Sequence, residues 1–191
     1  MQEAIAVFLM KDVVRDPNPV LRATAKELTF PLSDADKQLA HDLMEYLVIS
    51  QDEEENKKYK LRPGVGLAAP QVDRSVAMTA VLIPDDDGGI FLKDVLVNPR
   101  VVSHSVQTAA LAEGEGCLSV DEPHPGYVVR HDRVTIKYNT IDGEEKKLRL
   151  KNYPAIVVQH EIDHLNGILF YDHIRKDKPF ELEDPNGVLL G

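Results

Sequence analysis

His160-Glu161-Ile162-Asp163-His164 has the spacing of a metal site built on a helix. Residues i and i+4 lie one turn apart on the same helix face, so both imidazoles can reach one ion. Glu161 leans from the adjacent position. There it can take a proton from a water activated by the ion without becoming a ligand itself. In a chain of this composition the pattern is expected by chance about 0.02 times. The bland alternative is a pair of exposed helix histidines beside an unrelated glutamate.

A catalytic divalent site needs a third protein ligand and an open position. In one class of metalloproteases a further histidine follows at a fixed distance, but here that position is Phe170. A downstream glutamate is a second option. Glu183 is nearly in range, but it sits in a Pro-bounded acidic tail with no helix to hold it. The third option is Cys117, in Glu115-Gly116-Cys117-Leu118-Ser119. One thiolate and two imidazoles make a tetrahedral site with water in the fourth place. A lone cysteine can also be a small buried hydrophobe, or a nucleophile paired with a histidine. Only the metal reading uses Cys117, His160, Glu161 and His164 together. Gly114 and Gly116 suit a backbone that passes close to a metal or substrate. Gly64-Val65-Gly66-Leu67-Ala68-Ala69-Pro70-Gln71 is dense in small residues and lets a peptide backbone approach closely. It lacks the third glycine of a dinucleotide fingerprint, and Pro70 would interrupt the phosphate-binding helix.

These residues need elements to hold them. Pro154 fits a helix N1 position, apolar and His positions recur to Leu165, and Asn166-Gly167 reads as a stop. Ser33 with Asp36 opens an earlier helix, and Leu39, Leu43 and Leu47 form its apolar stripe to about Ile49. Ser50–Lys60 is charged and aperiodic, a solvated helix end or loop. Ser75–Ile83 reads as a buried strand ending in a turn at Pro84–Gly89. Val95–Val97 and Val101–Val106 read as strands around Asn98-Pro99. Val134, Ile136 and Tyr138 alternate, and Asp142-Gly143 turns the chain back through Leu148–Leu150. Many strands with two main helices predict an α+β fold, one domain over 1–191 with a tail after about 175 that is loosely ordered.

The net charge is −10, from 22 basic and 32 acidic residues, which excludes a globally basic surface for DNA. No apolar run approaches a membrane span. Ala4–Met10 is apolar but follows Gln2 and Glu3, and reads as packed structure rather than a targeting signal. With one cysteine and no export signal, a cytoplasmic location is expected.

GVGLAAPQ (64–71), EGCLS (115–119) and HEIDH (160–164), in this order, closely resemble the three motifs of the peptide deformylases. The resemblance spans nearly the whole chain. It includes Arg15–Arg22 and HLNGILFYDHI, and the long segment before the first motif resembles the Gram-positive type 2 branch. It implies antiparallel sheets packed around a central metal-binding helix. It also implies a metal held by Cys117, His160 and His164, with Glu161 as general acid/base. Gln71 and the Leu118 N–H would face an oxyanion. Val65 and Gly66 would meet the substrate backbone, and Tyr153, Ile156 and Val157 would line a methionine pocket. The implied cofactor is Fe²⁺, with Ni²⁺, Co²⁺ or Zn²⁺ as replacements; ligand spacing alone suggests Zn²⁺. The implied substrates are N-formylmethionyl nascent peptides, and the implied partner is the ribosome, contacted transiently. The long C-terminal helix by which other branches dock on it has no counterpart in this acidic tail. A zinc endopeptidase using Glu183, or a non-catalytic metal-binding protein, are the alternatives.

Overall fold

The computed structural model describes residues 7–191. Its frame is a five-stranded antiparallel sheet with a helix on each face. In spatial order the strands are β1 (Gly66–Ala68), β2 (Met78–Pro84), β3 (Ile90–His104), β6 (Arg133–Asn139) and β7 (Glu145–Lys151). Helix α1 (Asp34–Gln51) covers one face and α3 (Tyr153–Leu165) the other. A smaller sheet orders β5 (Arg130–His131), β4 (Thr108–Leu111) and β8 (Val188–Leu190).

Strand β2 explains why both faces are covered. Its side chains alternate, and apart from Thr79 both sets are apolar, so Met78–Ile83 is an unbroken buried run. Met78, Ala80 and Leu82 join Leu39, Leu43 and Leu47 of α1 in one core cluster. Val81 and Ile83 join Val158 and Ile162 of α3 in the other. Each fully buried Leu or Ile side chain contributes about 1.5–3 kcal/mol. Residues 7–10 of the apolar N-terminal stretch pack on the α1 cluster; residues 4–6 lie outside the described residues.

Local signals set the ends of the helices. The Ser33 hydroxyl accepts the Asp36 N–H at 3.1 Å, the N-cap expected at the start of α1, and donates to the Asp36 carboxylate at 2.6 Å in place of the return bond of a capping box. The charged segment after α1 forms a second helix, α2 (Glu53–Tyr59), with no buried residue. Asp52 caps it, glutamates fill its first turn and lysines its last, matching the helix dipole. Pro154 lies in the first turn of α3. After that helix, Gly167 has φ +71°, and a Cβ there would run into the Arg22 carbonyl.

Two expectations need correction. The strands expected on either side of Asn98-Pro99 are one long strand, β3, with a register shift between Val97 and Arg100. Asn98 absorbs the shift at φ +49°, and its amide clasps the Leu28 N–H and carbonyl at 2.8 Å each. The tail expected to be loosely ordered instead supplies β8, which pairs parallel with β4. Asp184 accepts the Thr108 N–H at 2.9 Å and Gln107 donates to the Asn186 carbonyl at 2.8 Å, so polar bonds seat the tail before its three-residue strand begins.

Candidate active site

Helix α3 lies where the two sheets meet. On the small-sheet side, Gln159 clamps the backbone of β5, accepting the His131 N–H at 3.1 Å and donating to the His131 carbonyl at 2.8 Å. This fixes the helix rotation and turns His160 and His164 toward the Glu115–Ser119 loop. Cys117 Sγ is 3.3 Å from His164 Nε2, and one ligand atom from each of Cys117, His160 and His164 lies within 4.8 Å of the others. The three sites are buried or nearly so, as a desolvated soft site requires.

The electrostatics suit a metal. Burial would push the Cys117 thiol up, but the two imidazoles outweigh it and hold it well below the usual thiol range, favouring the thiolate that binds metals. His160 Nδ1 is 2.8 Å from Glu115 Oε2, which leaves Nε2 for an ion. Burial alone would lower the His160 pKa, but Cys117 and Glu115 beside it raise it to about 10, strengthening the ring as a donor. These are donors for a borderline-soft divalent ion.

Behind His160 runs a chain of buried charges. Arg130 grips Glu115 with two bonds, at 2.6 and 2.9 Å, and Asp163 with a third at 2.8 Å. His173 Nε2 meets the same Asp163 oxygen at 2.7 Å. Burial opposes ionisation of Glu115, but His160 and Arg130 prevail and hold it at about 2. The Arg130 side chain is only 2% exposed, and its loss removes the one permanent cation between two carboxylates, leaving Glu115 with His160 alone and Asp163 with His173 alone. Arg130→Met should therefore destabilise the fold by about 3 kcal/mol, read by urea unfolding. An unchanged midpoint would mean the carboxylates find solvent or other partners.

Glu161 is 4% exposed, on the α3 face turned to the large sheet. Its Oε2 accepts from the Thr79 hydroxyl at 2.9 Å. Its Oε1 lies against Gly66, where any Cβ would overlap the carboxyl. Burial raises its pKa above the ordinary carboxylate range, against the pull of both imidazoles. Gln71, 2% exposed, is set by its carbonyl, which accepts the Ala68 N–H at 2.9 Å. Its amide donates to Ser119 Oγ at 3.1 Å and points at Cys117 Sγ at 3.5 Å. Sulfur is a weak acceptor, so that second N–H can be drawn to a better one. No backbone carbonyl among the described residues accepts from the Leu118 N–H.

Gly66, Gln71, Cys117, Leu118, His160 and Glu161 open on one cleft of about 1060 Å³, lined also by Val65, Tyr153, Ile156 and Val157, while His164 sits behind them. Glu183 is not among them. It is exposed and paired with Arg175, which removes the ligand set of the endopeptidase alternative. Gly114 needs glycine for its φ of +79°, whereas a Cβ at Gly116 would meet nothing, so the expected close approach is at Gly66 instead. The sequence reading gave no role to Thr79, Ser119, Arg130 or His173. Glu115 and Asp163 stood inside the motif strings, flanking the proposed ligands, and that adjacency was the available signal.

Residues 10–180 match the family model described as polypeptide deformylase. A peptide deformylase of Lacticaseibacillus casei strain BL23 is 70% identical over 184 residues, covering 96% of this chain and 100% of that protein. One of Levilactobacillus brevis is 62% identical over 180 residues, covering 93% and 97%. A Met-Ala-Ser-bound crystal structure of a class I type b peptide deformylase from Acinetobacter baumannii is similar at a TM-score of 0.72 and 32% identity, covering 90% of this chain and 100% of that one. The three motifs converge on one cleft and the match runs through nearly the whole length: the chain belongs to the polypeptide deformylase family.

Proposed function

We propose that this chain hydrolyses the N-formyl group from the N-terminal formylmethionine of nascent proteins, releasing formate and a free α-amine. The observation that carries this reading is the placement of Glu161. It is a buried carboxyl between two convergent histidines, with one oxygen tied to Thr79 and the other against Gly66, and both Glu161 and Gly66 line the cleft.

Cys117 Sγ, His160 Nε2 and His164 Nε2 would hold the ion, which when bound polarises the formyl carbonyl and brings the pKa of a water toward neutrality. We assign Fe²⁺ to the site, on the family resemblance and on a donor set that suits it. Ni²⁺, Co²⁺ or Zn²⁺ are replacements.

Glu161 removes a proton from the attacking water as its oxygen bonds to the formyl carbon. The carbonyl electrons move onto the formyl oxygen, and Gln71 Nε2 and the Leu118 N–H donate to the oxyanion that forms. Glu161 then passes the proton to the amide nitrogen as the C–N bond breaks. Atoms balance as amide plus water giving formate plus amine.

Strand β1 is an edge of the large sheet; just before it the Val65 carbonyl accepts the Leu82 N–H of β2 at 2.8 Å, so by alternation Gly66 turns its backbone outward to pair with an extended peptide while Val65 lines the cleft beside it. Tyr153, Ile156 and Val157 line the adjoining wall and receive the methionine side chain. The Met-Ala-Ser bound to the Acinetobacter relative supports a peptide that begins with methionine. Such substrates are nascent chains, and with them we propose a cytoplasmic location and transient ribosome contact. Among the described residues no helix is long and apolar enough to cross a membrane.

The test combines metal analysis of anaerobically purified protein with formate release from formyl-Met peptides. One equivalent of iron and formate release without internal cleavage are expected. Cleavage of unformylated peptides without formate would overturn the reading.

A further inference from the structure

Thr79 is a polar residue inside the apolar run of β2, and it is fully buried. Strand alternation places it on the α3 face, in line with Val81 and Ile83. A buried hydroxyl must find a partner, and three acceptors are in reach. Glu161 Oε2 is at 2.9 Å, the Leu67 carbonyl at 3.2 Å and the Ala80 carbonyl at 3.4 Å. A hydroxyl has one proton to give, and the carboxyl is both the nearest acceptor and, when ionised, the strongest.

The neighbouring strand holds the other side of the same carboxyl. Gly66 lies on β1, two positions from Ala68, the residue paired with Thr79. A side chain at Gly66 would overlap Glu161 Oε1, Cδ and Cγ. One strand thus leaves room for the carboxyl and the next ties one of its oxygens.

We propose that Thr79 is a positioning residue for Glu161, its hydroxyl fixing the rotation of the carboxyl so that Oε1 faces the cleft. This rests on Glu161 being the base. Without the hydroxyl the carboxyl can turn about its last bond at little steric cost, and the reacting oxygen is no longer held.

Thr79→Val keeps the shape and removes the hydroxyl, while Thr79→Ser keeps the hydroxyl. Thr79→Val should lower kcat about 30-fold, the worth of one hydrogen bond to a charged group, with KM within about twofold. Metal content should stay full and the melting temperature should not fall. Thr79→Ser should restore most of kcat. In a Glu161→Gln background, Thr79→Val should add no further loss, because its effect passes through the carboxyl. A Thr79→Val enzyme within about twofold of wild type would overturn the proposal. So would equal losses in the Val and Ser variants, or losses that track metal content, since those mark a packing role. A Glu161→Gln enzyme with near wild-type activity would instead sink the base assignment, and the Thr79 proposal with it.

Discussion

Glu161→Gln is expected to cut formate release by about 10²–10⁴-fold while the metal remains bound, because it removes a general base without removing a ligand. The substitution is nearly isosteric. The Gln carbonyl can still accept the Thr79 hydroxyl that now bonds Oε2, and the amide fits the space left by Gly66. Helix α3 keeps its position through Gln159 and its core face, neither of which involves Glu161. What disappears is the ability to take a proton and give it back. kcat should therefore collapse, with metal content by elemental analysis and the urea midpoint close to wild type. If the Gln variant released formate within about tenfold of wild type, the proton would have to move through another group. Cys117 is committed to the imidazoles, Gln71 has no basic atom in the cleft, and Glu115 is bound by Arg130 and His160, which hold it ionised and weakly basic, so none of them replaces Glu161.

The sequence and the structure agree where local physics is strong. The Ser33 N-cap, the Leu39–Leu43–Leu47 stripe, the alternation of Val134–Tyr138 and the Pro154 and Gly167 bounds of α3 are each set by neighbours in the chain. The pairing of His160 with His164 in the Cys117–His160–His164 cluster is legible for a related reason: the two are tied by helix geometry, so one spacing fixes both. The elements that were missed depend on distant partners. Strand β3 continues through Asn98 because the Asn amide finds Leu28, and β8 forms because Asp184 and Asn186 find Thr108 and Gln107. Arg130 is an ordinary charge in the sequence until the fold surrounds it with Glu115 and Asp163. Thr79 is an unremarkable strand residue until α3 carries Glu161 against it. Side chains that share one helix face announce themselves by period; side chains that meet them from another element do not.

Cys117 decides which class of chemistry the two helix histidines serve. Cys117→Ala should lose both metal and activity, whereas Glu183→Ala should leave both near wild type. The thiolate supplies the only negative charge of the triad, and two neutral imidazoles hold a divalent ion weakly without it. Alanine is smaller and apolar, and the site it enters already contains Val120, Leu169 and Phe170, so the loop should still fold. The loop also keeps its backbone ties, with the Asp16 N–H on the Ser119 carbonyl at 2.8 Å and the Val120 N–H on the residue-117 carbonyl at 3.2 Å. Metal loss would therefore report the missing ligand rather than a collapsed loop, and the circular dichroism of the variant checks this. Glu183 is exposed and pairs only with Arg175 among the described residues, and an exposed ion pair of this kind is worth about 0–1 kcal/mol. Elemental analysis of both variants, purified without oxygen, separates the two cases. A metal-depleted Glu183 variant beside a metal-replete Cys117 variant would move the third ligand to the tail and make the chain an endopeptidase-type site, against the cleft geometry described above.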